Sequence, residues 1–299
     1  MFTSYKIEKT FVNEININYR VGGNGPALLL LHGHPQTHVI WHKIADTLAQ
    51  HFTVVAADLR GYGDSDKPEA SDTSIAYSKR EMAKDQVELM KTLGFSEFSV
   101  LAHDRGARVA HRMAMDSPEC INNMILLDIA PTLAMYEQTN QDFARAYWHW
   151  FFLIRPAPFP ESLIETDPEN YLRNVMGARS AGMAPFTDEA FAEYLRCLKL
   201  PGAATGFCED YRASAGIDLI HDQDDIDAGK KVSCPLLVFW GQEGVVGRCF
   251  EPLNEWEKVA ENVKGGALPS GHYIPEEAPD LLLKHAISFI QTGQFNGLN

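Results

Sequence analysis

Five short apolar runs, none of them alternating with polar residues, limit the folds open to this chain. They are Ala27-Leu28-Leu29-Leu30-Leu31, Thr53-Val54-Val55-Ala56-Ala57-Asp58, Phe98-Ser99-Val100-Leu101-Ala102, Met124-Ile125-Leu126-Leu127-Asp128 and Leu236-Leu237-Val238-Phe239-Trp240. A strand with one wet face alternates, so an unbroken apolar run reads as a strand covered on both faces. Most of the runs are separated by stretches of helical periodicity, such as 79–93, and a weaker lead-in strand over 16–21 precedes them. Strand and helix repeated in this way predict an α/β fold, a doubly wound and mostly parallel sheet with helices on both faces. Such sheets gather ligands at the carboxyl ends of their strands.

The rhythm breaks once. Between Asp128 and Cys234 no strand-like run occurs, while aromatic residues, prolines and helical stretches such as 189–198 do. This predicts a helical cap inserted after the fourth apolar run, with a core domain over 1–132 and 228–299 and a cap over 133–227. The chain closes with a helix over 279–290.

With 45% apolar and 22% charged residues in 299, the composition is that of a folded globular protein. Lys and Arg number 26 against 40 Asp and Glu, a net charge of -14 that disfavours nucleic acid and anionic membrane surfaces as partners. An anionic small substrate would need positive charge gathered locally. The five cysteines are scattered without a C-x-x-C pair and read as reduced thiols, mostly buried. No signal-like opening and no membrane-length apolar run is found, so a cytoplasmic location is expected.

Chemistry concentrates where the third run ends. Ala102-His103-Asp104-Arg105-Gly106 fits the strand-to-helix nucleophile elbow G-x-S-x-G, with Asp at its centre and Ala102 where Gly is commoner. Alone, Asp104 could equally be an N-cap carboxylate for the helix over 105–115. Three further elements favour the nucleophile: His32-Gly33-His34-Pro35 follows the first apolar run, Asp128 closes the strand after the elbow, and Ser270-Gly271-His272 precedes the last helix. Nucleophile, acid and histidine thus occur in the order this architecture requires. A carboxylate nucleophile can displace a leaving group from saturated carbon and leave an ester that water can open, whereas serine would leave a stable ether. Asp104 therefore favours alkyl halides or epoxides over ordinary esters.

Arg105 and Arg108 lie three apart in the first turn of that helix, where cations oppose the macrodipole. An anion between them would relieve the conflict; pairing with surface carboxylates is the alternative. Trp240-Gly241-Gln242-Glu243-Gly244 follows a later strand and offers Glu243 as a rival for the acid. His34, His38 and His42 recur every four residues, but Pro35 interrupts any helix and no carboxylate completes a metal site.

Over nearly its whole length the sequence resembles the α/β-hydrolase superfamily, and within it the haloacetate (fluoroacetate) dehalogenases. The motifs are His32-Gly33-x-Pro35-Gln36, Asp58-Leu59-Arg60-Gly61-Tyr62-Gly63, His103-Asp104-Arg105-Gly106-x-Arg108, Leu127-Asp128-Ile129, Tyr147-Trp148-His149-Trp150, Cys208-x-Asp210-Tyr211-Arg212-Ala213 and Gly271-His272. The resemblance implies an α/β-hydrolase fold with an inserted helical cap and hydrolysis of a short haloacid by Asp104, with His272 as base oriented by Asp128. It also implies a carboxylate grip by Arg105 and Arg108, halide contacts from His149, Trp150 and Tyr211, and an oxyanion hole from the backbone N–H groups of His34 and Arg105. Neither a metal nor an organic cofactor is implied, and a homodimer is. An epoxide hydrolase or a noncatalytic binder of small carboxylates are the alternatives; in the former, Trp usually follows the nucleophile, where this chain has Arg105.

Overall fold

The computed structural model describes residues 1–70, 72–179 and 181–298. Its strands are β1 (Lys6–Val12), β2 (Ile15–Gly23), β3 (Ala27–Leu31), β4 (Thr53–Ala57), β5 (Phe98–His103), β6 (Ile121–Leu127), β7 (Leu236–Gly241) and β8 (Val263–Leu268). They form one sheet in the order β1-β2-β4-β3-β5-β6-β7-β8. Only the pairings β1 with β2 and β2 with β4 are antiparallel; the others are parallel. All five apolar runs are strands. β1 and β8, the two edges, were not expected from the sequence.

Burial on both faces explains the unbroken runs. Along β3, Leu28 and Leu30 enter one apolar cluster and Leu29 and Leu31 the other. Along β4, Val54 and Ala56 join the first pair while Val55 and Ala57 join the second. The helix Pro279–Thr292 covers one face with Leu282, Ala286 and Phe289, and Lys79–Thr92 and Asp104–Asp116 cover the other with Met82, Met90, Val109 and Met113. Truncating one of these fully buried leucines to alanine costs about 2–5 kcal/mol.

Between β6 and β7 all the described regular structure is helical, from Thr132–Glu137 to Ile217–Asp227. Local capping starts several of these helices: the side chains of Asn140, Asp167 and Thr187 accept from the N–H groups of Phe143, Asn170 and Ala190. Phe143, Trp150, Tyr194 and Tyr211 of this insert share the apolar cluster that holds Val100 and Val109, so the insert packs on the core and does not hang from it. The parallel registers bring the ends of β3, β5, β6 and β8 to the same edge of the sheet, under the insert. Among the described residues no helix is long and apolar enough to cross a membrane. The cysteines are free, with Cys120, Cys197 and Cys208 buried and Cys234 and Cys249 half-buried.

Candidate active site

The turn after β5 sets the geometry. Asp104 has φ 46°, the left-handed region that a non-glycine residue occupies at a cost of roughly 1–3 kcal/mol. The bend is held from below: the Gly106 N–H donates to the His32 carbonyl at 2.8 Å. It also requires small neighbours. A Cβ on Gly33 would stand 2.4 Å from the Asp104 Cβ, and one on Gly106 2.3 Å from the His32 oxygen. The loop after β3 can therefore close on the elbow, and the His34 N–H donates to Asp104 Oδ1 at 2.9 Å. Among the described residues, no bond from the Arg105 N–H to that carboxylate accompanies it.

The other carboxylate oxygen faces the histidine. Asp104 Oδ2 lies 4.0 Å from His272 Nε2, and His272 Nδ1 lies 2.5 Å from Asp128 Oδ2. Asp128 Oδ1 accepts the Gly241 N–H at 2.9 Å, and the His272 carbonyl is bonded to His103 Nε2 at 2.8 Å. Both acid and base are thus fixed from two sides. Glu243, the rival, is exposed, and Gly244 has no side chain to offer, so Asp128 is the carboxylate on His272.

Electrostatics keep Asp104 ionised. Burial pushes its carboxyl upward, but interactions with His272 and His103 and the charges of Arg105 and Arg108 outweigh that and hold it far below the usual carboxylate range. Burial does the reverse to the imidazoles. His34 falls to about 3, and His149 is lowered well below its ordinary value by burial and then by Arg179 and His34. At neutral pH both are uncharged.

The two arginines are not equivalent, and only Arg105 has a carboxylate partner, a buried one, among the described residues. Arg105 already has a counter-ion: its Nε and Nη2 donate to Asp210 at 2.9 and 2.7 Å, and Nη2 also meets Ser214. Asp210 is in turn bonded by the Tyr62 hydroxyl at 2.6 Å and by Lys79. Only Arg105 Nη1 is left, buried and without a partner. Arg108 meets no carboxylate among the described residues. Its Nη1 donates to the Ala130 carbonyl at 3.2 Å and to Thr132 Oγ1 at 2.9 Å, while its Nε is buried and unpartnered. Burial, and then repulsion from Arg105, push the Arg108 guanidinium below its ordinary value.

The insert supplies the remaining side chains. Tyr211 covers Arg105, whose guanidinium carbon is 4.1 Å from the phenol ring centre, and Trp150 covers Arg108 at 4.8 Å. The Tyr211 ring lies 5.8 Å from His149 and 6.2 Å from Trp150. His149, Trp150 and Tyr211 are buried, and the Trp150 Nε1 and Tyr211 Oη atoms have no hydrogen-bond partner among the described residues. So is the hydroxyl of Tyr136, whose ring is 4.9 Å from Trp150 and which the sequence did not single out. Buried donors without acceptors are costly and uncommon in folded proteins. Here two of them belong to the rings that cover Arg105 and Arg108.

The three regularly spaced histidines do not converge. His34 Nε2 meets the Tyr171 hydroxyl at 3.0 Å, His38 Nδ1 meets Asp58 at 2.8 Å, and His42 Nδ1 meets the Val39 carbonyl at 2.9 Å. Asp58 also accepts from the N–H groups of His38 and Asp64 and from Asn18, so its motif shapes a loop.

Comparison with known proteins agrees with this architecture. The family model for the alpha/beta hydrolase fold matches residues 26–248. A fluoroacetate dehalogenase from Burkholderia sp is 44% identical over 94% of this chain and 92% of its own length. A soluble epoxide hydrolase from Corynebacterium sp. (strain C12) is 33% identical over 97% of this chain and 98% of its own. Among solved structures, a protein from Nostoc sp PCC 7120 described as an alpha/beta hydrolase superposes with a TM-score of 0.95 at 51% identity, covering 98% of this chain and all of that one. The sheet order, the carboxyl-edge site and these relatives agree: the chain belongs to the α/β-hydrolase family.

Proposed function

We propose that this hydrolase removes halide from short 2-haloacids such as haloacetate, giving the hydroxy acid through an ester on Asp104. The observation that carries the reading is Arg108, a buried cation with no carboxylate partner among the described residues, whose guanidinium lies against the ring of Trp150, itself holding an unpartnered N–H. An apolar ester or neutral epoxide would leave that charge buried and unanswered. A carboxylate answers it. The similarity to a fluoroacetate dehalogenase supports the same substrate class.

The substrate carboxylate takes Arg108 Nε and Arg105 Nη1, which directs its α-carbon toward Asp104 Oδ2. Oδ2 forms the C–O bond as the C–halogen bond breaks, and the halide leaves with the electron pair toward His149, Trp150 and Tyr211. His149, being uncharged, can donate one N–H. The ester's carbonyl oxygen is Oδ1, the atom that already accepts the His34 N–H. His272 then takes a proton from water, and the hydroxide adds to the ester carbon. Oδ1 carries the resulting negative charge against the His34 N–H, with the Arg105 N–H as second donor once the centre is tetrahedral. Collapse breaks the bond between the Asp104 carboxyl carbon and Oδ2, so that Oδ2 leaves as the hydroxyl oxygen of the product and the water oxygen stays on Asp104, and His272 returns its proton to the departing hydroxy acid. Asp128 keeps the imidazole oriented and balances its transient charge.

The division into a core of residues 1–132 and 228–299 and a cap of 133–227 follows from the same scheme, since the cap supplies the halide donors. A homodimer is supported by Trp148, Phe159 and Leu163, large apolar side chains exposed on the insert. A cytoplasmic location fits the reduced thiols.

Epoxide hydrolysis is the competing reading, favoured by the free hydroxyls of Tyr136 and Tyr211, which could protonate an opening ring. Incubating the protein with fluoro-, chloro- and bromoacetate and with a neutral terminal epoxide separates the two. Released halide with stoichiometric hydroxy acid is expected; diol formation without halide release would reverse the assignment.

A further inference from the structure

Arg179 lies on the insert beside the site, and none of the roles above uses it. Its guanidinium carbon is 4.4 Å from the Tyr147 ring centre, its Nη1 lies 3.4 Å from the Ala146 carbonyl, its side chain also interacts with Tyr273, and its Nε is buried with no hydrogen-bond partner among the described residues. Like Arg108 it meets no carboxylate among the described residues. It lines a cleft of about 240 Å³ together with exposed Glu243 and Arg248 and with buried His272. Its charge is felt at both Asp104 and Asp128.

This placement answers a problem set by composition. A chain of net charge -14 repels an anion at a distance, and in the cleft lining exposed Glu243 and Arg248 offset one another. Arg105, neutralised by Asp210, does little to reverse the sign, and Arg108 is too deep to act before the substrate is inside. A half-buried cation on the cleft wall acts earlier. Attraction then strengthens inward as the surroundings become less polar, from the Arg179 Nε–H to the buried Arg108.

We propose that Arg179 is a recognition residue, which captures the carboxylate of the incoming acid in this cleft and passes it inward to Arg108. The inference rests on the haloacid reading. The parent for its test is the His272→Asn protein, in which the ester on Asp104 should accumulate, so that arrival and attack are measured without hydrolysis. Ester formation is followed by intact-protein mass spectrometry with chloroacetate and with neutral chloroacetamide, alone and at rising salt, in the parent and with Arg179→Met or Arg179→Lys added.

With Arg179→Met the rate at limiting chloroacetate should fall about tenfold and lose much of its salt dependence, while the saturating rate changes little. Arg179→Lys should restore most of the loss. The chloroacetamide rate should be unchanged, which also shows that the variant is folded. Equal slowing of both substrates would mean that Arg179 supports the fold, and an unchanged chloroacetate rate would overturn the inference alone. A parent that forms no ester with chloroacetate would overturn the haloacid reading and this inference together.

Discussion

Replacing Arg108 with Met separates function from stability, because the structure gives the side chain opposite effects on the two. Among the described residues the buried guanidinium bonds only to Ala130, Thr132 and Met135, and its Nε has no partner. Truncating a large buried side chain costs about 2–5 kcal/mol, but removing a buried ion that lacks a counter-ion recovers an amount of the same order. Met keeps much of the volume, so Tm should stay within about 3 °C of the parent.

Substrate binding should respond differently. A charge-assisted hydrogen bond contributes about 1.5–3 kcal/mol, and a carboxylate facing Arg108 would lose up to two while keeping Arg105 Nη1. A net loss of about 3 kcal/mol predicts a rise in KM for chloroacetate of roughly 150-fold, with a much smaller rise for chloroacetamide. Steady-state kinetics on both substrates and a thermal melt suffice. Equal losses on the acid and the amide, or a melting temperature lowered as by an ordinary core truncation, would refute the reasoning.

Trp150→Phe keeps most of the ring and deletes an unpartnered N–H; the single-turnover rate with fluoroacetate should fall about a hundredfold or more, and with bromoacetate far less, because fluoride concentrates its charge and depends more on fixed donors. A uniform loss across halides would assign Trp150 to packing. Glu276 is buried beneath the insert, where burial, opposed by hydrogen bonds from Gln36 and Tyr194, pushes its carboxyl from 4.5 up to about 8. The unfolded chain therefore ionises first, so this residue's contribution to stability is full below pH about 4.5 and is lost as pH rises to about 8. Glu276→Gln should match the parent near pH 5 and melt higher at pH 8.5; parallel melting curves across that range would contradict the assignment.

The apolar runs were legible because burial on two faces leaves no polar residue in step. β1 and β8 were not, for different reasons. Ile7 and Phe11 of β1 are exposed, so its apolar residues do not mark a core face. In β8 a Cβ on Gly265 would stand 1.9 Å from the Val238 oxygen, so close approach to β7 requires a residue that weakens the strand signal. The chemistry divides similarly. That Asp104, Asp128 and His272 come together was legible because each follows a strand at a position the architecture fixes. The helix-dipole argument asked for one anion serving both arginines, but Asp210, 105 residues from Arg105, supplies it to one of them. Nothing local announces that pairing. Arg179 likewise sits in no motif, and only folding brings its charge toward Asp104.

The central claim is a covalent ester on Asp104 that His272 alone clears. Mass spectrometry of the His272→Asn protein after exposure to fluoroacetate, followed by peptide mapping, tests it directly. The account predicts a stoichiometric carboxymethyl ester on the peptide containing Asp104, absent from an Asp104→Asn, His272→Asn double variant. A folded His272→Asn protein that binds fluoroacetate but stays unmodified, or one modified elsewhere, would contradict it.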